Sequence, residues 1–299
     1  MKKPAITSGL RILLLYLTVA PAALFASATD NSSSDLNARS INGYLLVVGV
    51  SLNGSGPYDF LVDTGTNTTL IDPALAAELK LKPVDRMALT TLADATPVVR
   101  YYADRLQAGP AAVSHLEILG APLTELRNVD HKIRGVLGMN FLLQFSFLLD
   151  YRHHRMEIFP FPDSAPVPEG RRLQVQINDS RILVPVVSQS SPRGAWNLVL
   201  DSGIGQFLVF QSRMRHFERT CEEAPCVMKV GTNASNYNAL SVIIPELAIA
   251  ETRLFNQSAV LLRNELLNPS DPQDGLLPAS LFRSVFFDRS DGTLVVDPR

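Results

Sequence analysis

Two segments of this chain, 138 residues apart, spell nearly the same thing. The first is Phe60-Leu61-Val62-Asp63-Thr64-Gly65-Thr66, and the second is Leu198-Val199-Leu200-Asp201-Ser202-Gly203-Ile204. Each is an apolar, strand-like run that ends on an aspartate, followed by a hydroxyl residue and a glycine. Burying a carboxylate behind an apolar run is costly unless something requires it there. Two copies in one chain therefore constrain the fold to bring both carboxylates to one shared site.

The surroundings of the two segments repeat as well. Tyr44 to Leu52 is β-branched and apolar, Asn53-Gly54-Ser55-Gly56 turns the chain, and Tyr58 to Val62 returns it to Asp63. In the second half Leu173 to Ile177, a turn at Asn178-Asp179-Ser180, and Ile182 to Val187 read the same way, with Asn197 to Leu200 leading into Asp201. These are hairpin signals. Gly135-Val136-Leu137-Gly138 and Gly275-Leu276-Leu277-Pro278 then precede matching strand pairs that close each unit. Asp72-Pro73 before Ala74 to Leu79 predicts a short capped helix with proline at its first position. Others are expected to begin at Phe141 and Leu281. The pattern is all-β with a few short helices.

The expected organisation is a signal peptide over 1–28, a flexible tail over 29–40, a first unit over 41–161, a linker over 162–171 and a second unit over 172–299. The linker rests on its prolines, which suit neither helix nor central strand. The signal rests on Lys2 and Lys3, an apolar run of 14 residues from Ile12 to Phe25, and the small residues Ala26-Ser27-Ala28. An uncleaved anchor is the alternative, though a span needs about 20 residues. Export makes Cys221 and Cys226 an expected disulfide closing a small loop, worth about 2 kcal/mol. A net charge of −2 argues against nucleic acid. No stable membrane association is expected after signal cleavage.

The tight turn is expected to need glycine so that the aspartate projects into a cleft with an N–H at its carboxylate. Like charges that close cannot both ionise easily, so the pair shares one proton. Such a pair can serve as general base and general acid at once.

At these residues the chain resembles the pepsin/retropepsin superfamily of aspartic proteases, in particular bacterial retropepsin-like proteins with two units in one chain. The resemblance covers about residues 41–299. It implies a bilobal fold of two barrel-like lobes related by a pseudo-twofold axis. It makes Asp63 and Asp201 catalytic, with loop support from Thr64, Gly65, Thr66, Ser202, Gly203 and Gly138. It also implies a hairpin flap over the cleft, spanning about Met87 to Leu106 with its tip at Ala93, Asp94, Ala95 and Thr96, and a second hairpin turning near 231–236. The function it implies is peptide-bond hydrolysis by a water activated between two carboxylates. The substrate would be a peptide or protein, the molecule a monomer, and no cofactor or metal is called for.

Two departures stand out. Ile204 replaces the hydroxyl residue that Thr66 supplies in the first unit, which is expected to favour the neutral form of Asp201 and extend activity to higher pH. Pro278 stands where the first unit has Gly138, so its loop must differ locally. These departures motivate the alternative of a peptide-binding module of the same fold without hydrolysis. The histidines form no HExxH, and His153-His154 read as a solvated turn. No Gly-x-Ser-x-Gly elbow and no complete dinucleotide-binding glycine pattern is present. Asp150 and Asp288 also end apolar runs, but a hairpin turn explains them better.

Overall fold

A computed structural model describes residues 35–36, 38–41, 45–91, 95–160, 165–214, 226–229, 236–262 and 271–298. The expected signal peptide, Cys221 and most of the proposed second flap turn lie outside the described residues, as do 92–94 of the first.

The first lobe is built from β1 (Arg39–Ile41), β2 (Leu45–Leu52), β3 (Ser55–Val62), β4 (Thr69–Ile71), β5 (Asp85–Thr90), β6 (Ala95–Ala108), β7 (Ala111–Gly120) and β8 (Ile133–Leu137). Its sheet runs β1-β2-β3-β8-β4-β7-β6-β5, and a further pairing of β2 with β6 closes six of these strands into a barrel. Next come β9 (Ser146–Asp150), β10 (Arg155–Phe159) and β11 (Arg171–Gln174). The second lobe holds β12 (Gln176–Asn178), β13 (Arg181–Val187), β14 (Ala195–Asp201), β15 (Phe207–Phe210), β16 (Cys226–Lys229), β17 (Asn236–Ile249), β18 (Thr252–Leu262) and β19 (Gly275–Pro278). Its order, β12-β13-β14-β19-β15-β18-β17-β16, closes through β13 and β17 into a second six-stranded barrel. The chain ends with β20 (Phe282–Asp288) and β21 (Thr293–Pro298). The protein is two-lobed, with one closed six-stranded barrel in each repeat unit, as the repeat predicts.

The apolar runs before the aspartates are apolar throughout because both faces of these strands are buried. Side chains alternate across the sheet. Phe60 and Val62 therefore join the main core, while Leu61 joins a second cluster with Val47, Leu70, Leu119 and Val136. Lobe two repeats this: Leu198 and Leu200 face the main core, and Val199 packs with Leu183, Leu208, Val260 and Leu276. Each fully buried side chain of this size stabilises by about 1.5–3 kcal/mol.

A third sheet joins the lobes, in the order β10-β9-β20-β21-β11. Its centre pairs the closing strand of each unit, with Val285 opposite Leu149 and Phe287 opposite Phe147. The Leu173 to Ile177 run is accordingly broken. Its first half, β11, pairs with β21 in the joining sheet, and only β12 joins the lobe-two sheet, as an edge strand beside β13. Asp150 and Asp288 are hairpin-turn residues: Asp150 accepts from the His153 N–H at 3.0 Å, and Asp288 from the Ser290 N–H at 2.9 Å. His153 is exposed beside Asp150 in that turn.

Among the described residues, helices are short. α1 (Pro73–Glu78) forms as predicted, with the Asp72 carboxylate accepting from the Ala74 N–H at 2.8 Å. α2 (Thr124–Val129) is not legible in sequence, for it buries no residue and has no side-chain cap. α3 (Met139–Leu142) follows Gly138, and lobe two has a 3₁₀ turn at Ala279–Leu281 in its place. None of these helices is long and apolar enough to cross a membrane.

Candidate active site

Asp63 follows the end of β3, and its N–H donates to the Leu137 carbonyl of β8 at 3.1 Å. Asp201 ends β14, opposite Pro278 of β19. The two strand ends therefore emerge at equivalent places in the two barrels. Gly65 donates its N–H to Asp63 Oδ1 at 2.8 Å, and Gly203 donates to Asp201 Oδ1 at 2.7 Å. Each turn thus fixes its own carboxylate with the backbone N–H of its glycine.

The two loops are tied by a reciprocal set of four hydrogen bonds. Thr64 Oγ1 donates to the Leu200 carbonyl at 2.8 Å and accepts from the Ser202 N–H at 3.0 Å. Ser202 Oγ donates to the Val62 carbonyl at 2.8 Å and accepts from the Thr64 N–H at 3.0 Å. A hydroxyl carries one donor and lone pairs to accept, so each is used both ways. Thr64 is 0% exposed and Ser202 1%, which makes every one of these bonds expensive to lose. The hydroxyl after each aspartate therefore bonds the opposite lobe.

Glycine at 65 and 203 is required for a different reason from the one the sequence suggests. Neither sits in the left-handed region of backbone space. Instead each lies under the opposite lobe's carboxylate. A Cβ on Gly65 would overlap the Asp201 carboxylate, and one on Gly203 would come within 2.8 Å of Asp63 Cγ. The two aspartates thus cross over, each resting on the other lobe's glycine, which brings their carboxyl groups within reach of each other's charge.

Burial raises the pKa of Asp63 above the ordinary carboxylate range; the Gly65 N–H, the bond from Asp201, the Thr66 N–H and the Arg181 charge each pull it back. Asp201 is pushed up much further, first by burial and then by the negative charge of Asp63, with the Gly203 N–H and Arg181 opposing. Two buried carboxylates in such contact cannot both ionise easily, so both are held towards the neutral form, Asp201 the more strongly.

The Thr66 hydroxyl does not bond a carboxylate. It donates to the Thr68 carbonyl at 3.4 Å, and the Thr66 contribution to Asp63 comes from its backbone N–H. Ile204, its counterpart, is half-buried against the second lobe's outer cluster. Asp201 does favour its neutral form, but burial and Asp63 cause this, not a missing hydroxyl.

Gly138 supports the first loop. Its N–H donates to Thr69 Oγ1 at 3.1 Å, and a Cβ there would come within 2.6 Å of the Thr68 backbone. Thr69 Oγ1 in turn donates to Asn140 Oδ1 at 2.8 Å. By strand register Pro278 corresponds to Gly138 and Phe207 to Thr69. Lobe two therefore lacks both the N–H and the hydroxyl that would receive it, and the proline leaves no partner stranded.

β5 and β6 form the hairpin expected as a flap. Ala95 and Thr96 lie on β6, opposite Thr90 and Leu89. Ala93, Asp94 and Cys221 fall outside the described residues. Cys226 begins β16. Tyr101 packs against the core and Tyr102 stacks on His115 with centroids 4.4 Å apart, so both tyrosines serve packing. Arg181 carried no sequence signal as a site residue, since a single arginine opening a strand resembles any surface cation.

Residues 48–141 match the aspartyl protease family. That stretch is therefore what this chain shares with the aspartyl protease family. The match runs through the first lobe, from β2 through the start of α3. A comparison with curated proteins gives no match. Among solved structures, it is similar to a retropepsin-like aspartic protease from Rickettsia conorii, with 20% identity over 40% of this chain and 86% of that one and a TM-score of 0.30. It is also similar to an aspartic proteinase from Irpex lacteus, with 11% identity over 86% of this chain and 94% of that one and a TM-score of 0.47.

Proposed function

We propose that this protein is an exported, monomeric aspartic endopeptidase whose general base is Asp63 and whose general acid is Asp201. One observation supports the reading: two buried carboxyl groups, each seated on the other lobe's glycine, lie where each acts on the other's charge. A water held between them loses a proton to Asp63 as its oxygen attacks a peptide carbonyl. Asp201 gives its proton to the carbonyl oxygen in the same step. The resulting tetrahedral diol collapses when Asp201 takes a proton back from one hydroxyl and Asp63 passes its proton to the departing amine. No covalent enzyme intermediate forms. Acid and base roles of this kind each contribute roughly 10²–10⁴-fold in rate. An extended peptide would lie across the cleft beneath the β5–β6 hairpin, with apolar subsites as the default for such pockets. The Lys-led apolar N-terminus supports export, where Cys221 and Cys226 would pair.

The reading is tested by cleavage of a denatured protein and a peptide library between pH 3 and 8, with and without an inhibitor of aspartic proteases. Asp63→Asn and Asp201→Asn should each abolish turnover. Tight peptide binding without cleavage by the wild type would replace this reading with that of a binding module. The structure gives that alternative little support, because neither Ile204 nor Pro278 removes a bond from the dyad.

A further inference from the structure

Arg181 opens β13 in the second lobe, yet it reaches the first lobe's catalytic loop. Its Nε donates to the Gly65 carbonyl at 3.4 Å. Its Nη1 lies 3.6 Å from Asp179, and Asp179 in turn accepts from Asn67 Nδ2 at 3.0 Å. The β12–β13 turn thus grips Gly65 and Asn67 from across the lobe boundary. Both contacts of the guanidinium are long, so its charge is only partly spent on them. The side chain is 25% exposed, which leaves the charge incompletely screened by solvent.

The pseudo-twofold relation makes this charge one-sided. Val47 pairs with Leu61 and Leu183 pairs with Val199, each partner two residues before its aspartate. Two positions before Val47 is Leu45, and two before Leu183 is Arg181. The repeat therefore supplies a cation in one lobe and an uncharged residue at the same register in the other. Arg181 is the cation that acts on both aspartates, and Asp179 lies behind it.

We propose that Arg181 is a positioning residue, which fixes the lobe-one loop through the Gly65 carbonyl and supplies the countercharge that maintains the singly protonated dyad. The need for one is physical. Burial alone favours the form of the pair with two protons, which contains no base. A nearby cation opposes that preference in both aspartates. Arginine suits the task because it does not release its own proton. This deepens the endopeptidase reading and rests on it for its catalytic consequence.

The test is a ¹³C-carboxyl NMR titration of Asp63 and Asp201 in the full chain, as wild type, Arg181→Gln and Arg181→Lys. Glutamine removes the charge while keeping a donor for the Gly65 carbonyl. Both midpoints of the pair should rise by about one pH unit in Arg181→Gln and stay near wild type in Arg181→Lys. Unmoved midpoints in a folded Arg181→Gln protein overturn the proposal. If that variant does not fold, Asp179→Asn replaces it: removing the partner carboxylate should lower both midpoints, and no movement overturns the proposal equally. The titration needs no substrate, so it stands even if the wild type cleaves nothing, a result that would refute only the endopeptidase reading. In an active protein both limbs of the kcat/KM profile should move upward in Arg181→Gln. A uniform loss at every pH with fixed limbs would reduce Arg181 to a structural grip.

Discussion

Replacing Thr64 by valine probes the contact on which the dyad geometry depends. Valine keeps the branched shape and removes the hydroxyl. Two bonds vanish at once: the donation to the Leu200 carbonyl at 2.8 Å and the acceptance from the Ser202 N–H at 3.0 Å. Both stranded groups belong to the backbone, and water has no access to them, since Thr64 and Ser202 are buried. An unsatisfied buried group costs about 1–3 kcal/mol, so the pair should cost about 2–6 kcal/mol in all. In a chain of this size that corresponds to a fall in Tm of roughly 5–15 °C. Thermal and urea unfolding measure the first effect. The second is on turnover, because the Ser202 loop carries Asp201, and a misplacement of about 1 Å can cost 10²-fold in rate. Ser202→Ala strands the mirror-image groups, the Val62 carbonyl and the Thr64 N–H. The double variant should lose less than the sum of the singles, since once one loop has relaxed the other has less to lose. A Thr64→Val protein that unfolds at the wild-type temperature and retains wild-type kcat would refute the claim that these four bonds hold the lobes' loops in register.

Asp201→Asn should gain stability relative to wild type as pH rises. The native pKa of Asp201 is raised above its unfolded value, so the stability linked to its proton is complete below about pH 3.9 and is lost as pH climbs towards the native pKa. Tm compared at pH 3.5 and pH 7 checks this, and a gap that shrinks with pH contradicts it. Gly65→Ala places a methyl on the Asp201 carboxylate and should lower turnover at least ~10²-fold, with about 1–3 kcal/mol of lost stability from overpacking; near-normal kinetics would show the loops to be more yielding than this. Pro278→Gly should cost under about 1 kcal/mol, whereas Gly138→Pro should cost about 3 kcal/mol or more, because only lobe one has a hydroxyl awaiting that N–H; equal melting shifts would remove the distinction. Ile204→Thr should leave the limbs of the pH–rate profile in place while lowering Tm by a few degrees, since the residue packs against the core cluster; a moved limb would give the hydroxyl a role at the carboxylate.

The amino-acid sequence by itself determined that two aspartates end two equivalent strands. Apolar runs, turn residues and a repeated order are local signals, readable within a few residues of Asp63 and of Asp201. Those signals also fixed the capped helix at Asp72 and the hairpin turns at Asp150 and Asp288. They could not show that Thr64 bonds Leu200 and Ser202 bonds Val62, because those partners lie 136 and 140 residues away and meet only once both barrels close. Only the tertiary structure decided why glycine is needed at 65 and 203: the opposite carboxylate occupies the space a Cβ would take. It also decided that Asp201 is held towards its neutral form, since burial and the neighbouring charge act through distance rather than through sequence order. The division of the Leu173 to Ile177 run between two sheets, and the arrival of Arg181 beside the dyad, have the same origin. Periodicity says which face of a strand is apolar, but the partner across that face is chosen by the packing of the whole chain.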